Sequence, residues 1–147
     1  MKLKLTHVGI CVTDLARSRR FYVEGLGFIE TSSLQVKDEP AASLLQIPGV
    51  DLEALYLERD GVRIELLYYR KPGAVAVDVP RPMNAPGLTH LSFQVADVVG
   101  AAEKLVTLGG TALSETRVEI PAMGVVAMFV LDPDGTRIEL VRGAVTD

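Results

Sequence analysis

The chain has 147 residues, 48% hydrophobic and 23% charged, with a mean hydropathy of +0.27, a single cysteine and a formal net charge of −4. That apolar content offsets the ordering entropy of a domain and excludes a disordered chain, while one cysteine excludes a disulfide framework, a zinc ribbon and a four-thiolate iron–sulfur cluster. The acidic balance argues against a nucleic-acid partner, and no apolar run reaches the roughly 18 residues of a membrane-spanning helix, so the expectation is a soluble, cytoplasmic protein with neither nucleic-acid nor membrane partners.

Residues 3–12 alternate and are rich in Leu, Val and Ile, the pattern of a strand. Asp14 then serves as N-cap for a helix to about Leu26, with Leu15, Phe21, Tyr22 and Leu26 as its apolar stripe and Gly27 as its stop. Strands follow at about 28–36, 52–59 and 62–69, the last two joined by an Asp60-Gly61 hairpin turn. Between the first two lies a short helix, Glu39 to Gln46, closed by Pro48-Gly49. A connector at about 71–87, rich in proline, leads to a strand at 88–96 and a helix at 97–108 capped by Asp97. Strands at 111–117 and 124–131, a turn at Asp134-Gly135 and a strand at 136–142 complete the pattern. The order βαβββ therefore occurs twice, which predicts an α+β fold of two tandem modules, about 1–70 and 88–142.

The two modules repeat in sequence as well as in pattern. LTHVGICVTDL at 5–15 returns as LTHLSFQVADV at 88–98, offset by 83 residues, and DGVRIEL at 60–66 returns as DGTRIEL at 134–140, offset by 74. The nine-residue difference marks an insertion in module one; the stretch 36–50, polar at its start and apolar at its end, is read as a substrate-covering lid. Two copies of this length do not make a solenoid, and paired modules that complete one another fit better.

Alternation along the strands places His7 with Gly9 and Cys11, His90 with Ser92 and Gln94, Glu65 with Arg63 and Leu67, and Glu139 with Arg137 and Val141. A lone strand histidine is usually a packing residue, and a lone Arg-x-Glu is usually a solvated ion pair. Here both histidines of the chain follow Thr at corresponding positions, and both glutamates stand in the same RIEL context. If the modules are related by approximate twofold symmetry, two imidazoles and two carboxylates converge, a donor set that suits a divalent transition metal with one or two positions left for water or substrate oxygens. Cys11 reads as a small buried packing residue, Tyr68 and Tyr69 as wall or packing residues, and Arg63 and Arg137 as anion-binding groups or outward ion pairs. No Ser-His-Asp order, Walker loop or post-strand G-x-G-x-x-G is present.

The tandem modules, T-H-V-G-I-x-V-x-D-L, F-Y-x-x-x-L-G-F, D-P-D-G-x-R-I-E-L and the His/Glu/His/Glu set resemble the vicinal oxygen chelate superfamily, which includes glyoxalase I, methylmalonyl-CoA epimerase, extradiol dioxygenases and fosfomycin-resistance proteins. The resemblance implies one domain over 1–147 in which each module curls into a half-barrel, with a divalent metal (Zn, Ni, Co, Mn or Fe) held by His7, Glu65, His90 and Glu139, and a homodimeric assembly. It implies a small-molecule substrate with adjacent oxygens and proton transfer next to a carbonyl through a metal-bound enediolate, as in an epimerase, an isomerase or a glyoxalase-type lyase. Glu139 would then be ligand and base, and Glu65 second ligand or opposite-face proton donor. The same set allows a ring-cleaving dioxygenase using His7, His90 and Glu139, and relatives without ligands are metal-free antibiotic-binding proteins. Where glyoxalase I carries an Arg and an Asn that help hold glutathione, this chain has Cys11 and Tyr69. Where the epimerases carry a catalytic Glu, before the third strand, it has Gln46, Ile47 and Pro48.

Overall fold

In a computed structural model, described here for residues 1–143, the chain divides inside the expected connector into two units, Met1–Ala76 and Val77–Asp147. The first unit runs β1 (Val8–Val12), α1 (Leu15–Arg20), β2 (Ile29–Lys37), α2 (Ala41–Leu45), β3 (Asp51–Arg59) and β4 (Val62–Lys71). The second runs β5 (His90–Gln94), α3 (Val98–Thr107), β6 (Thr111–Ile120), β7 (Val125–Leu131) and β8 (Arg137–Arg142). Each unit has one four-stranded mixed sheet, in the orders β1-β4-β3-β2 and β5-β8-β7-β6. The β1–β4 and β5–β8 pairs are parallel and the others antiparallel. This is the expected α+β fold of two βαβββ modules, with α2 as the extra element of the first.

Each sheet buries one face under its helix. In unit one Ile10, Val12, Leu55, Leu57, Ile64 and Leu66 are buried, as are Phe21, Tyr22, Leu26 and Phe28 beside them. In unit two Val126, Met128, Val130, Ile138 and Leu140 are buried together with Val98, Ala102 and Leu105 of α3. Asp14 caps α1 by accepting the Arg17 N–H at 2.9 Å, and Asp97 caps α3 by accepting those of Val99 and Gly100, both at 3.1 Å. A Cβ at residue 100 would stand 2.5 Å from Asp97 Oδ2, so the second cap needs Gly100.

Three expectations change. The helix after Asp14 does not continue regularly to Leu26. Beyond Arg20 it widens into a π-turn over Phe21–Gly25, closed by Leu26 N–H to Phe21 O at 3.1 Å. That turn brings Phe21, Tyr22, Leu26 and Phe28 into the core together, with ring centroids 5.5 Å apart for Phe21 and Tyr22 and 6.0 Å for Tyr22 and Phe28. The first strand of each module begins later than the alternation suggests. Val8 pairs with Ile64 and His90 with Arg137, and the partner strands start only at Val62 and Arg137. Residues 3–5 therefore have no ladder partner, and Leu3 and Leu5 are exposed. Third, the expected lid is a packed element. Ala42, Val50 and Leu52 are buried in an apolar cluster with Val36, Leu45, Ile47, Leu67 and Tyr69 against it. Its base is tied by Asp38 N–H to Val50 O at 3.0 Å and Ala42 N–H to Asp38 O at 2.7 Å.

Candidate metal centre

The face of each sheet away from its helix carries the polar residues singled out above. In unit one, His7 leads into β1, and Gly9, two residues on, lies opposite Glu65 of β4. His7 Nε2 is 3.1 Å from Glu65 Oε2, with the two side chains 33% and 13% exposed. On the other flank of Glu65, β3 supplies Tyr56, whose ring meets His7 edge-on at 5.5 Å. The Tyr56 phenol stands beside the Glu65 carboxylate, and its interaction with that carboxylate, together with burial, holds the phenol above its ordinary value. Arg63 lies over the Tyr56 ring at 5.7 Å and pairs with Glu58 at 2.5 Å.

Unit two repeats the pair with different neighbours. His90 Nε2 is 3.7 Å from Glu139 Oε2, with side-chain exposures of 28% and 30%. Phe129 stands where Tyr56 stands in unit one and meets His90 edge-on at 5.5 Å. The hydroxyl on Glu139 comes instead from Ser92 of β5, which donates to Oε2 at 2.6 Å. A register shift in β6 lets Thr116 Oγ1 accept the Phe129 N–H at 2.9 Å, fixing the strand that carries the ring.

The donor set fits a divalent metal. Each histidine has its Nδ1 against the hydroxyl of the preceding threonine, Thr6 at 3.1 Å and Thr89 at 2.9 Å. In the tautomer that donates Nδ1–H to the threonine, Nε2 turns a lone pair toward a carboxylate oxygen, and the two could hold a cation together; in the other tautomer Nε2–H donates to the carboxylate. Two ligands about 2.1 Å from one ion, at tetrahedral or octahedral angles, stand roughly 3.0–3.4 Å apart; the observed 3.1 Å of the first pair lies within that range and the 3.7 Å of the second lies above it. Among the described residues no three His, Cys, Asp or Glu form a ready group; the four predicted ligands stand as two pairs, one in each unit.

The remaining expectations divide. Cys11 is exposed rather than a buried packing residue. Both arginines are engaged: Arg63 with Glu58, and Arg137 with the carbonyl oxygen of Arg81. Tyr69 packs against the α2 cluster as a wall residue, and burial, then the nearby Cys11 and Glu65, raise its phenol. Tyr56 and Ser92 were not singled out as partners of the glutamates. Ser92 was legible as a hydroxyl on the face of His90. Tyr56 was legible from the hairpin, because a two-residue turn at Asp60-Gly61 sets Arg59 opposite Val62 and hence Tyr56 opposite Glu65.

A model of the Glyoxalase/Bleomycin resistance protein/Dioxygenase superfamily matches residues 4–140. The chain is 27% identical over 139 residues to an ethylmalonyl-CoA/methylmalonyl-CoA epimerase of Cereibacter sphaeroides, covering 93% of this chain and 96% of that one. It is 30% identical over 139 residues to a probable lactoylglutathione lyase of Synechocystis, covering 94% of each. Among solved structures, a glyoxalase family protein from Bacillus cereus superposes with a TM-score of 0.81 at 21% identity, covering 97% of this chain and 95% of that one. Among the described residues no helix is long and apolar enough to cross a membrane.

Proposed function

The chain belongs to the glyoxalase/bleomycin resistance protein/dioxygenase superfamily, and from that premise we propose that it is a divalent-metal-dependent enzyme moving a proton at a carbon next to a carbonyl, as an epimerase, an isomerase or a glyoxalase-type lyase. The observation that carries this reading is the duplicated pair, His7 with Glu65 and His90 with Glu139, each imidazole Nε2 turned to a carboxylate oxygen. In this proposal the two modules work as one functional domain, and the four side chains hold one ion, within a chain or between two copies of a homodimer. The names of the two curated relatives, an epimerase and a lyase, support the reaction class. When bound, the ion supplies Lewis acidity to two neighbouring substrate oxygens, which lowers the pKa of the adjoining C–H.

The protein's own groups do the proton work. Glu139 is the base: Ser92 holds its Oε2 at 2.6 Å, and a side chain 30% exposed leaves the other oxygen for the substrate. Glu65, 13% exposed and engaged by both His7 and Tyr56, is the fixed ligand. In an epimerase Glu65 would instead enter protonated and give that proton up on the opposite face as Glu139 takes one, whereas a lyase or isomerase that works on one face needs Glu139 alone.

The test is metal content of untagged protein purified without chelator, with His7→Ala and His90→Ala beside it. The expected result is about one divalent ion per chain, lost in both variants. Glu139→Gln should retain the fold and lose solvent-deuterium exchange into an α-hydroxyketone followed by NMR. No metal, and none taken up on reconstitution, would overturn the proposal and leave a metal-free small-molecule-binding protein.

A further inference from the structure

We propose that unit two holds a small-molecule site on the helix side of its sheet, and that it takes a primary amine carried on a compact apolar body, such as a ring with a short chain. A cavity of about 360 Å³ opens there between α3, β6 and β7, toward the lower end of the volumes that bind small molecules. It stands apart from the candidate metal centre. Met128, in its lining, is buried on the helix side of β7, while Phe129, the next residue, meets His90 on the other side.

The duplication explains the space. By the 83-residue offset of the modules, Tyr22 and Phe28, whose rings pack together in the core of unit one, are replaced by Leu105 and Thr111. Arg19, which reaches from α1 to Glu30 of β2 at 2.6 Å, is replaced by Ala102, and Glu30 by Leu113. Smaller side chains and the loss of that ion pair leave room between the helix and the edge strand of unit two. Ala102 and Met128 are buried and form the floor, and Val99 and Val106, each 45% exposed, flank the mouth.

The edge strand also turns polar groups toward this room. Leu113 pairs with Phe129 and Val118 with Ala127, so the residues from Ser114 to Arg117 stand against Met128 alone. In a regular strand Ser114 and Arg117 would face opposite sides; the bulge brings both to the cavity. Arg117 is already paired with Glu119. Glu103 of α3, also in the lining, has no ion-pair partner among the described residues. The charge left over is therefore negative. An ammonium has three donors and no acceptor, and it meets the Glu103 carboxylate and the Ser114 hydroxyl. A carboxylate would face Glu103 as a like charge and would have to displace Glu119 from Arg117. The apolar walls and the Met128 thioether suit a ring. An apolar cavity of about 150 Å³ holds benzene, so this one takes a ring with roughly a three- or four-carbon chain.

The test titrates phenylbutylamine and phenylbutyrate, one carbon skeleton with opposite charges, into the full chain, followed by methyl NMR. The methyl signals of Val99, Val106 and Met128 should move saturably, with the amine bound about fivefold more tightly than the carboxylate. Glu103→Gln, at an exposed position, should bring the two within about twofold. Ala112→Ile gives the cavity lining the residue that unit one has at the matching position, Ile29, and should weaken the amine about tenfold or more in protein that melts as the parent does. The proposal is overturned if none of these methyls moves at up to about 10 mM amine, or if the carboxylate binds as tightly as the amine. Unchanged amine binding in folded Ala112→Ile would overturn it too, and if that variant does not fold, the Glu103→Gln comparison decides.

Discussion

Tyr56→Phe removes one hydroxyl from the proposed centre and little else. The ring is retained, and unit two shows that phenylalanine makes the same edge contact: Phe129 meets His90 at 5.5 Å, as Tyr56 meets His7. What is lost is the phenol's polar interaction with Glu65, whose side chain is 13% exposed, so water replaces it only in part. A hydrogen bond to a charged group contributes about 1.5–3 kcal/mol, and loss of an outer partner of a metal ligand typically lowers metal affinity about 10- to 100-fold. With partial replacement by water, the lower end applies, and nickel or zinc affinity should fall about tenfold. The stability of the metal-free protein should change by about 1 kcal/mol, a shift of roughly 2–4 °C in Tm. Competition against a chromophoric chelator measures the first quantity and a thermal melt the second. Affinity unchanged within about twofold, while His7→Ala abolishes binding, would refute the claim that the phenol positions Glu65 as a ligand.

The remaining predictions concern other points of the fold. Ser92→Ala removes the 2.6 Å bond to Glu139 and should also weaken the metal about tenfold in the same chelator competition. Gly135 has φ +93°, and a Cβ there would stand 2.7 Å from Val79 Cβ. Gly135→Ala should therefore cost about 2–4 kcal/mol of stability, and in urea melts Val79→Gly should recover the overlap part but not the backbone part. Burial works against ionisation of Asp51, but bonds from Gln35 and Lys37 and the charges of Lys37 and Arg70 outweigh it and hold the carboxyl below 3.8. A lowered folded pKa contributes stability above the unfolded value, lost as pH falls through the folded one. Asp51→Asn should thus unfold at lower urea than the parent near neutral pH, with the gap closing below 3.8.

The parts legible in the sequence were those governed by local rules. Alternation placed the histidines and glutamates on definite strand faces, the capping residues Asp14 and Asp97 started the helices, and the repeated Asp-Gly-x-Arg-Ile-Glu-Leu aligned the modules. The parts that were not legible depend on a partner. The late starts of β1 and β5 follow from where β4 and β8 begin. The second Asp-Gly is not a two-residue hairpin: Leu131 pairs with Arg137, and buried Asp132 closes the longer loop by accepting the Asp134 and Thr136 N–H groups at 2.9 and 2.8 Å. The packed α2 could not be told from a lid, because composition shows that a segment is apolar at one end but not what it meets.

The duplication kept the four donors and changed what holds them, and sterics explain how. A serine at position 9, matching Ser92, would have to push Leu67, whose Cδ1 lies 3.2 Å from the place of a Cβ. Unit one therefore takes its hydroxyl from across the other strand, through Tyr56 on β3, and keeps the small residue on β1. Unit two has the serine on β5, and at the position of Tyr56 a phenylalanine that offers no donor. Each glutamate thus has one hydroxyl, but on opposite flanks: Glu65 is drawn toward β3 and Glu139 toward β5. Carboxylates so placed differ in exposure, 13% against 30%. A duplicated module thereby acquires two unlike carboxylates, which is what the proposed division of roles requires: one a fixed ligand, the other exchanging a proton with substrate.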